Sequence, residues 1–325
     1  MIIRPELQAL RSNDAPQRLA QDSVGQVLDA WRASGEGQQT ARELVQFGGG
    51  RPLDDLSLLS ALFAPQDSAA GQYTANLLGP LLVLMAQEPL TQSPLRYSCN
   101  GALTTIILAR EGTTTLTLQA VNGAVLARLP APVSATFSPT ETHERVLAGT
   151  AHVMNLRIRE HFPDRVELDA AQATLRAGDA NRRMGRIEAQ LLQEVPGSLV
   201  SLKLHRVIGA HEVAREYALR DGKLLRQAAG TPRESRLELT AALLGRMGRK
   251  DASPLLAAMA EEEGNASLRW QALRECLGLD TARGFAVLCS VAQRSGDPLA
   301  APAGALRAQL LETYPQLAGV TECPA

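Results

Sequence analysis

The chain carries no surplus of either charge. Its 33 Lys and Arg stand against 34 Asp and Glu, a net charge of −1. A nucleic-acid binder ordinarily shows a basic surplus or a basic stripe, and no long basic run is present. No nucleic acid is expected as a partner. Lysine is almost missing, with Lys203, Lys223 and Lys250 the only three. We read the arginine bias as one of base composition, so it argues for no phosphate site. Cysteine is scarce and scattered: Cys99, Cys276, Cys289 and Cys323 form no C-x-x-C pair. That excludes zinc-ribbon and thioredoxin-type chemistry. Cys276 and Cys289 fall in an apolar helical pattern, where a free cysteine behaves as a small core residue. A reduced, cytoplasmic setting is expected.

Long apolar runs are missing as well. The opening Met1-Ile2-Ile3-Arg4-Pro5-Glu6-Leu7 has no apolar core of signal-peptide length. The most apolar stretch, Leu77 to Met85, contains Gly79 and Pro80 and is about half as long as a membrane span requires. No membrane partner is expected. Nucleophile signatures are absent too: there is no G-x-S-x-G, and no neighbourhood marks any of the five His as an oriented base. Gly48-Gly49-Gly50-Arg51-Pro52 is not a phosphate loop, because it lacks G-x-x-x-x-G-K-[ST] and Pro52 removes a backbone donor.

What is present is a change of grammar near residue 230. With 325 residues, 45% hydrophobic and 21% charged, the chain has an ordinary soluble composition and room for roughly two or three domains. Residues 1–92 read as helical. Asp22-Ser23 is expected to cap a helix through Val24, Val27, Leu28 and Trp31. Asp54-Asp55 precede a second helix carrying Leu56, Leu58, Leu59, Leu62 and Phe63, and a third runs from Ala69 to about Met85. Residues 93–230 read in twos. Short runs rich in Thr, Val, Leu and Ile are separated by Glu111-Gly112, Asn122-Gly123, Pro130, Ser138-Pro139 and Ala148-Gly149. Asn122-Gly123 predicts a tight hairpin between Thr113–Val121 and Val125–Leu129. Pro163 to Ala171 reads as an interruption. Strands resume at Arg186–Val195 and Ser198–Val207 around Pro196-Gly197, then at Glu216–Leu219 and Lys223–Gln227 around Asp221-Gly222. Many short antiparallel strands predict a sandwich, barrel or jelly roll. The fold class expected is α+β.

Residues 231–325 read as helices, and two segments look like copies of one unit. At a constant offset Leu243 meets Leu273, Met247 meets Leu277, Gly248 meets Gly278, Ala252 meets Ala282 and Leu255 meets Phe285. The glycine is expected to end the first helix of each copy. With Leu268-Arg269-Trp270-Gln271-Ala272-Leu273, the pattern resembles the HEAT-type repeat. That resemblance implies a docking surface for a protein partner and a short array stabilised by packing on a neighbour.

In the strand-rich region, Glu144-Arg145-Val146-Leu147-Ala148-Gly149-Thr150-Ala151 has the form strand, Gly turn, strand. Leu175-Arg176-Ala177-Gly178-Asp179-Ala180 has an L-x-x-G-D turn, and Ser198 to His205 forms a strand of matching pattern. On these residues the region resembles the cupin jelly roll, and within it the thiol dioxygenases. The resemblance implies a metal held by H-x-H, a Glu and a later His, because alternate strand residues enter one cavity. The corresponding places here are Ala135, Phe137 and the stretch Arg186 to Ala189, and none holds a His. The resemblance therefore implies a cupin without its metal, and dioxygenase activity does not carry over.

Three sets of residues remain as candidates. Glu141, His143 and His152 are the one local cluster of metal-ligand types. Two residues apart, Glu141 and His143 share a strand face, and His152 returns across the Ala148-Gly149 turn, which suits iron or manganese; the alternative is strand-surface polarity. Arg96, Tyr97, Asn100, Thr104 and Gln119 could line a small-molecule pocket, with Arg96 pairing a carboxylate, or be rim and turn residues. Glu261-Glu262-Glu263 is a solvated helix end or an acidic lip. The expectation is a non-enzymatic binding or regulatory protein with no cofactor, a small ligand in the barrel and a protein partner on the C-terminal helices. The alternatives are an iron- or manganese-dependent oxygenase or isomerase, and an accessory protein that assembles with a neighbouring enzyme.

Overall fold

A computed structural model describes residues 10, 12–65, 68–209, 212–229 and 231–320. The Met1–Leu7 stretch and Cys323 lie outside the described residues. The chain divides into two compact units. The first comprises Met1–Ala135, Thr140–Ile208 and Ala218–Lys223, and the second Thr136–Pro139, Gly209–Tyr217 and Leu224–Ala325.

The first unit begins with α1 (Ala15–Ala33), which carries Pro16 in its first turn and buries Ala20, Val24 and Leu28. The apolar face is the expected one, but the start is not. Asp22 and Ser23 lie inside the helix, where the Ser23 hydroxyl donates to the Leu19 carbonyl at 3.0 Å instead of capping a terminus. Helix α2 (Gly35–Gly48) was not foreseen, because its first turns are Gly, Gln and Thr. It forms because the Ser34 Oγ accepts from the Gly37 N–H at 3.2 Å. Helix α3 (Ser57–Leu62) is short, and Asp54 and Asp55 occupy a separate single turn before it. The acid that reaches its N-terminus is Glu43 of α2, which accepts from the Leu58 and Leu59 N–H groups at 3.2 and 2.8 Å. Those donors would otherwise be orphaned in the core. Helix α4 (Ala69–Gln87) continues through Pro80 and buries Tyr73, Leu77 and Leu81.

Strands β1 (Tyr97–Asn100), β2 (Leu103–Glu111), β3 (Thr114–Asn122), β5 (Thr140–Ala148), β8 (Ala180–Met184) and β10 (Ser198–Val207) form one sheet in the order β1-β2-β3-β10-β5-β8. Strands β6 (Thr150–His161), β7 (Val166–Arg176) and β9 (Glu188–Glu194) form a second, in the order β7-β6-β9. Pairing is antiparallel throughout both. Side chains alternate across a strand, so the larger sheet has two different faces. One carries Leu116, Leu118, Leu202 and Leu204, which share a core with Val24, Leu44, Phe47, Leu59 and Leu77 of the helices. The other carries Val121, Val146 and Leu199, which meet Ala151, Val153 and Leu175 of the smaller sheet.

Two expectations for this region are corrected. Asn122-Gly123 is not a hairpin, and Val125–Leu129 is not a strand. The Asn122 Oδ1 accepts from the Val125 N–H at 3.1 Å and starts a short helix, α5 (Gly123–Leu126). Glycine is required there for approach rather than for turning, since a Cβ at Gly123 would lie 1.8 Å from the Val195 carbonyl oxygen. Pro163 to Ala171 is not an interruption either: β7 begins at Val166. It is an edge strand whose centre is exposed, so its sequence lacks the apolar alternation that marks a half-buried strand. The Pro196-Gly197 turn holds, but β10 leaves it to pair with β3 and β5 rather than with β9.

A third sheet, ordered β12-β11-β4, is made of β4 (Ser134–Phe137), β11 (Val213–Ala218) and β12 (Leu224–Ala229), and the second unit also holds helices α6 (Pro232–Arg246), α7 (Ser253–Glu261), α8 (Ala266–Leu279), α9 (Thr281–Gln293) and α10 (Ala300–Thr313). Thr231, Asn265 and Asp280 cap α6, α8 and α9. Leu256, Leu273, Cys276, Phe285 and Leu288 form the helical core. Arg269 is buried and holds Asp297 in a two-pronged pair at 3.1 and 2.6 Å. The two sequence copies are not equivalent in space. Leu273 and Phe285 are fully buried, whereas their counterparts Leu243 and Leu255 are 57% and 62% exposed. Gly248 ends α6 with φ of 65°, but Gly278 lies inside α8, which stops at the extended Asp280 instead. No helix among the described residues is long and apolar enough to cross a membrane.

Candidate functional site

Strand β5 offers acids to both sides. Glu141 and His143 face the helices, opposite Arg206 and Leu204 of β10. The Glu141 Oε1 accepts from Arg182 Nε at 2.7 Å and lies 3.1 Å from His143 Nε2, while Oε2 accepts from Arg206 Nε at 2.8 Å. Arg206 also lies over the Phe47 ring, 4.1 Å from its centroid, and donates to the Phe47 carbonyl. The His143 ring stands edge-on to Phe47 and Phe63. Burial pushes the Glu141 carboxyl up, but its bonds to Arg206 and His143 and the two guanidinium charges outweigh this and hold it below the usual carboxylate range. Burial is also the main cause of the lowered His143 pKa. This cluster fastens α2 to the sheet.

His152 belongs elsewhere. It sits on β6 of the smaller sheet, exposed, with Nδ1 3.2 Å from the Thr174 hydroxyl. The structure brings Glu141 and His143 together and leaves His152 apart. Among the described residues no three His, Cys, Asp or Glu side chains gather as metal ligands. Arg96, Tyr97 and Asn100 are exposed at the sheet edge. Thr104 pairs with Cys99 and Ala120, and Gln119 pairs with Thr105 and Ser201. Tyr97 and Thr104 therefore share one face while Asn100 and Gln119 occupy the other. Ala135 and Phe137 are buried on β4. In the acidic run, Glu261 is paired with Arg294 at 3.3 Å.

The other side of β5 holds a constellation that the sequence reading passed over. Glu144 is 2% exposed and lies opposite Lys203 of β10 and Asn181 of β8. Its Oε1 is 3.1 Å from Lys203 Nζ and its Oε2 accepts from Arg183 Nη1 at 2.9 Å. Arg183 Nη1 also donates to Asn181 Oδ1 at 2.6 Å and Gln190 Oε1 at 2.9 Å, and Gln190 Nε2 donates to Asn155 Oδ1 at 2.9 Å. The chain of bonds thus crosses from the larger sheet to the smaller. Burial pushes the Glu144 carboxyl up, but the Lys203 and Arg183 charges prevail and the net shift is downward. Burial, aided by the Arg183 charge, lowers Lys203 despite Glu144. Two cations face one carboxylate, which leaves a positive excess in a medium that screens poorly. A signal was available: Ser201-Leu202-Lys203-Leu204 sets one of only three lysines in an apolar strand, on the alternate face from its leucines.

A cleft of about 410 Å³ opens beside this network. Its lining includes Asn155, Asn181, Arg183 and Gln190, with Arg157 and Glu188 paired at 3.5 Å. Because Asn181 Oδ1 is engaged by Arg183, its Nδ2 points away, buried, with no hydrogen-bond partner among the described residues. An unmet buried donor of this kind costs about 1–3 kcal/mol, which a bound acceptor would recover.

No family model matches the chain, and no curated protein matches it either. Solved structures that resemble it are cupin domains. The Drosophila melanogaster CENP-C cupin domain is 11% identical, over 34% of this chain and 74% of that one, with a TM-score of 0.27. An RmlC-like cupin from Shewanella frigidimarina is 10% identical, over 35% and 85%, with a TM-score of 0.25. A mutant of Bacillus subtilis oxalate decarboxylase is 13% identical, over 38% of this chain and 30% of that one, with a TM-score of 0.26. A likeness this slight assigns the chain neither a family nor an activity.

Proposed function

We propose that this is a binding protein rather than an enzyme: a jelly roll of the cupin type without a metal centre, holding a small carboxylate-bearing molecule, joined to HEAT-type helices that dock a protein. What supports the ligand is the Asn181 amide. Its Nδ2 is a buried donor without an acceptor among the described residues, and Asn181 borders a cleft beside the Arg183 guanidinium. An incoming carboxylate would accept from Asn181 Nδ2 and, near the mouth, from Arg157, without displacing Glu144. The positive centre formed by Lys203 and Arg183 supplies the field. Water-exposed Arg157 would give on-rate, and the enclosed amide would give specificity.

The test is thermal unfolding of the full chain against a panel of mono- and dicarboxylates, because a ligand that binds only the folded state raises the midpoint. Saturable stabilisation by at least one carboxylate, absent from the matching amide and from Asn181→Leu, is the expected result. Equal stabilisation of Asn181→Leu, or none by any carboxylate, would overturn the reading.

A further inference from the structure

Helix α6 carries an apolar stripe that faces away from its own core. Leu239, Leu243 and Met247 follow one another at intervals of four, which sets them on one side of the helix. They are 69%, 57% and 58% exposed. Ala241 and Gly245, two residues along from the first two, point the opposite way. Ala241 is buried in the helical core, and the Glu275 side chain of α8 stands where a Cβ on Gly245 would be. The stripe is therefore the outer face of α6. The charges of the helix are sorted in the same way. Arg233, Arg236 and Arg246 are exposed and form no ion pair among the described residues, whereas Glu234 and Glu238 are partly buried.

We infer that this face docks an acidic amphipathic helix of another protein. The inference rests on the reading of the C-terminal helices as a docking module and names the chemistry of what they take. Leucine-type residues at i, i+4 and i+7 of the incoming helix cover Leu239, Leu243 and Met247, and flanking carboxylates meet Arg236 and Arg246. A second copy of this chain does not suit the surface. Two such faces would bring Arg236 and Arg246 of both copies into one interface, with like charges together and no exposed carboxylate of α6 to meet them.

The experiment is fluorescence anisotropy of a synthetic helical peptide of about 15 residues, a length at which isolated helices become marginal, with leucines at that spacing and glutamates between. The full chain is the titrant. The expected result is saturable binding that weakens with salt. Loss should be at least about tenfold for Leu243→Glu and for Arg236→Glu, as when a central anchor or a facing charge is removed. Both positions are exposed, so both variants should fold, which circular dichroism checks. A lysine-for-glutamate peptide that binds as tightly would overturn the inference, as would a concentration-dependent dimer abolished by Leu243→Glu. Binding of the acidic peptide that ignores both substitutions would overturn the assignment to α6 but leave the docking reading standing. No binding at all would remove both.

Discussion

Glu141 and Glu144 lie three residues apart on β5, on opposite faces, and each is held by two cations. Under the helices, both oxygens of Glu141 are engaged and the cluster ends in aromatic rings and a backbone carbonyl. Between the sheets, the bonds of Glu144 run outward through Arg183 to Asn181 and Gln190, and reach an amide whose Nδ2 has no hydrogen-bond partner among the described residues. The same ionic chemistry therefore makes a fastening on one side and lies beside an open cleft on the other. What separates them is where the bonds lead: to the Phe47 ring and carbonyl on one side, and to an amide that lines a cleft on the other.

The comparison is broken most severely by Glu144→Ala. It strands Lys203 and Arg183 in a buried place, and such a loss costs about 3–5 kcal/mol. Urea unfolding would show it, and adding Lys203→Met should recover a sizeable part. Glu141→Gln should cost less, about 1–3 kcal/mol, because the amide keeps an acceptor and Arg182 is already half in water. If the order of these two costs is reversed, the fastening is the helix-side cluster in a stronger sense than argued. The pH dependence follows. Both carboxyls lie below their ordinary 4.5 in the folded state. Their contribution is therefore present above that value and lost as pH falls through the lower folded values. Thermal melts should drop steeply on the acid side of about pH 4.5, and Glu144→Gln should flatten that limb. The smallest expected effect is that of a chelator. With Glu141 already held by Arg182 and Arg206, the unfolding midpoint should stay where it is. Near-stoichiometric iron or manganese, lost in a His143→Ala, His152→Ala double variant, would revive the metal reading.

Much of this architecture was legible in the residues. The alternation of Leu202, Lys203 and Leu204 announced a strand, and Val24 and Leu28 announced the buried face of α1. The failures share a physical cause. Asn122-Gly123 looked like a hairpin because that dipeptide favours one locally, yet tertiary crowding at the Val195 carbonyl required a glycine there for another purpose. Strand β7 was missed because an edge strand can be polar on both faces. The Glu141–His143 contact followed from strand period, but its arginine partners Arg182 and Arg206 lie 41 and 65 residues away in sequence. Likewise the Glu144 network depends on which strands are neighbours, and no local pattern encodes that. The helical copies matched by position, but burial differs because only one of them is enclosed by others.

Arg206 reaches from β10 to the Phe47 carbonyl at the end of α2, and Leu116, Leu202 and Leu204 sit in one core with the preceding helices. The helices and the sheet are accordingly a single unit of inheritance. A gene fragment begun at residue 93 would encode a sheet with a bare leucine face, and an Arg206 that keeps Glu141 but has lost the Phe47 ring and carbonyl. Recombination that preserves this protein has its breakpoints before α1 or after the sheets, not between them.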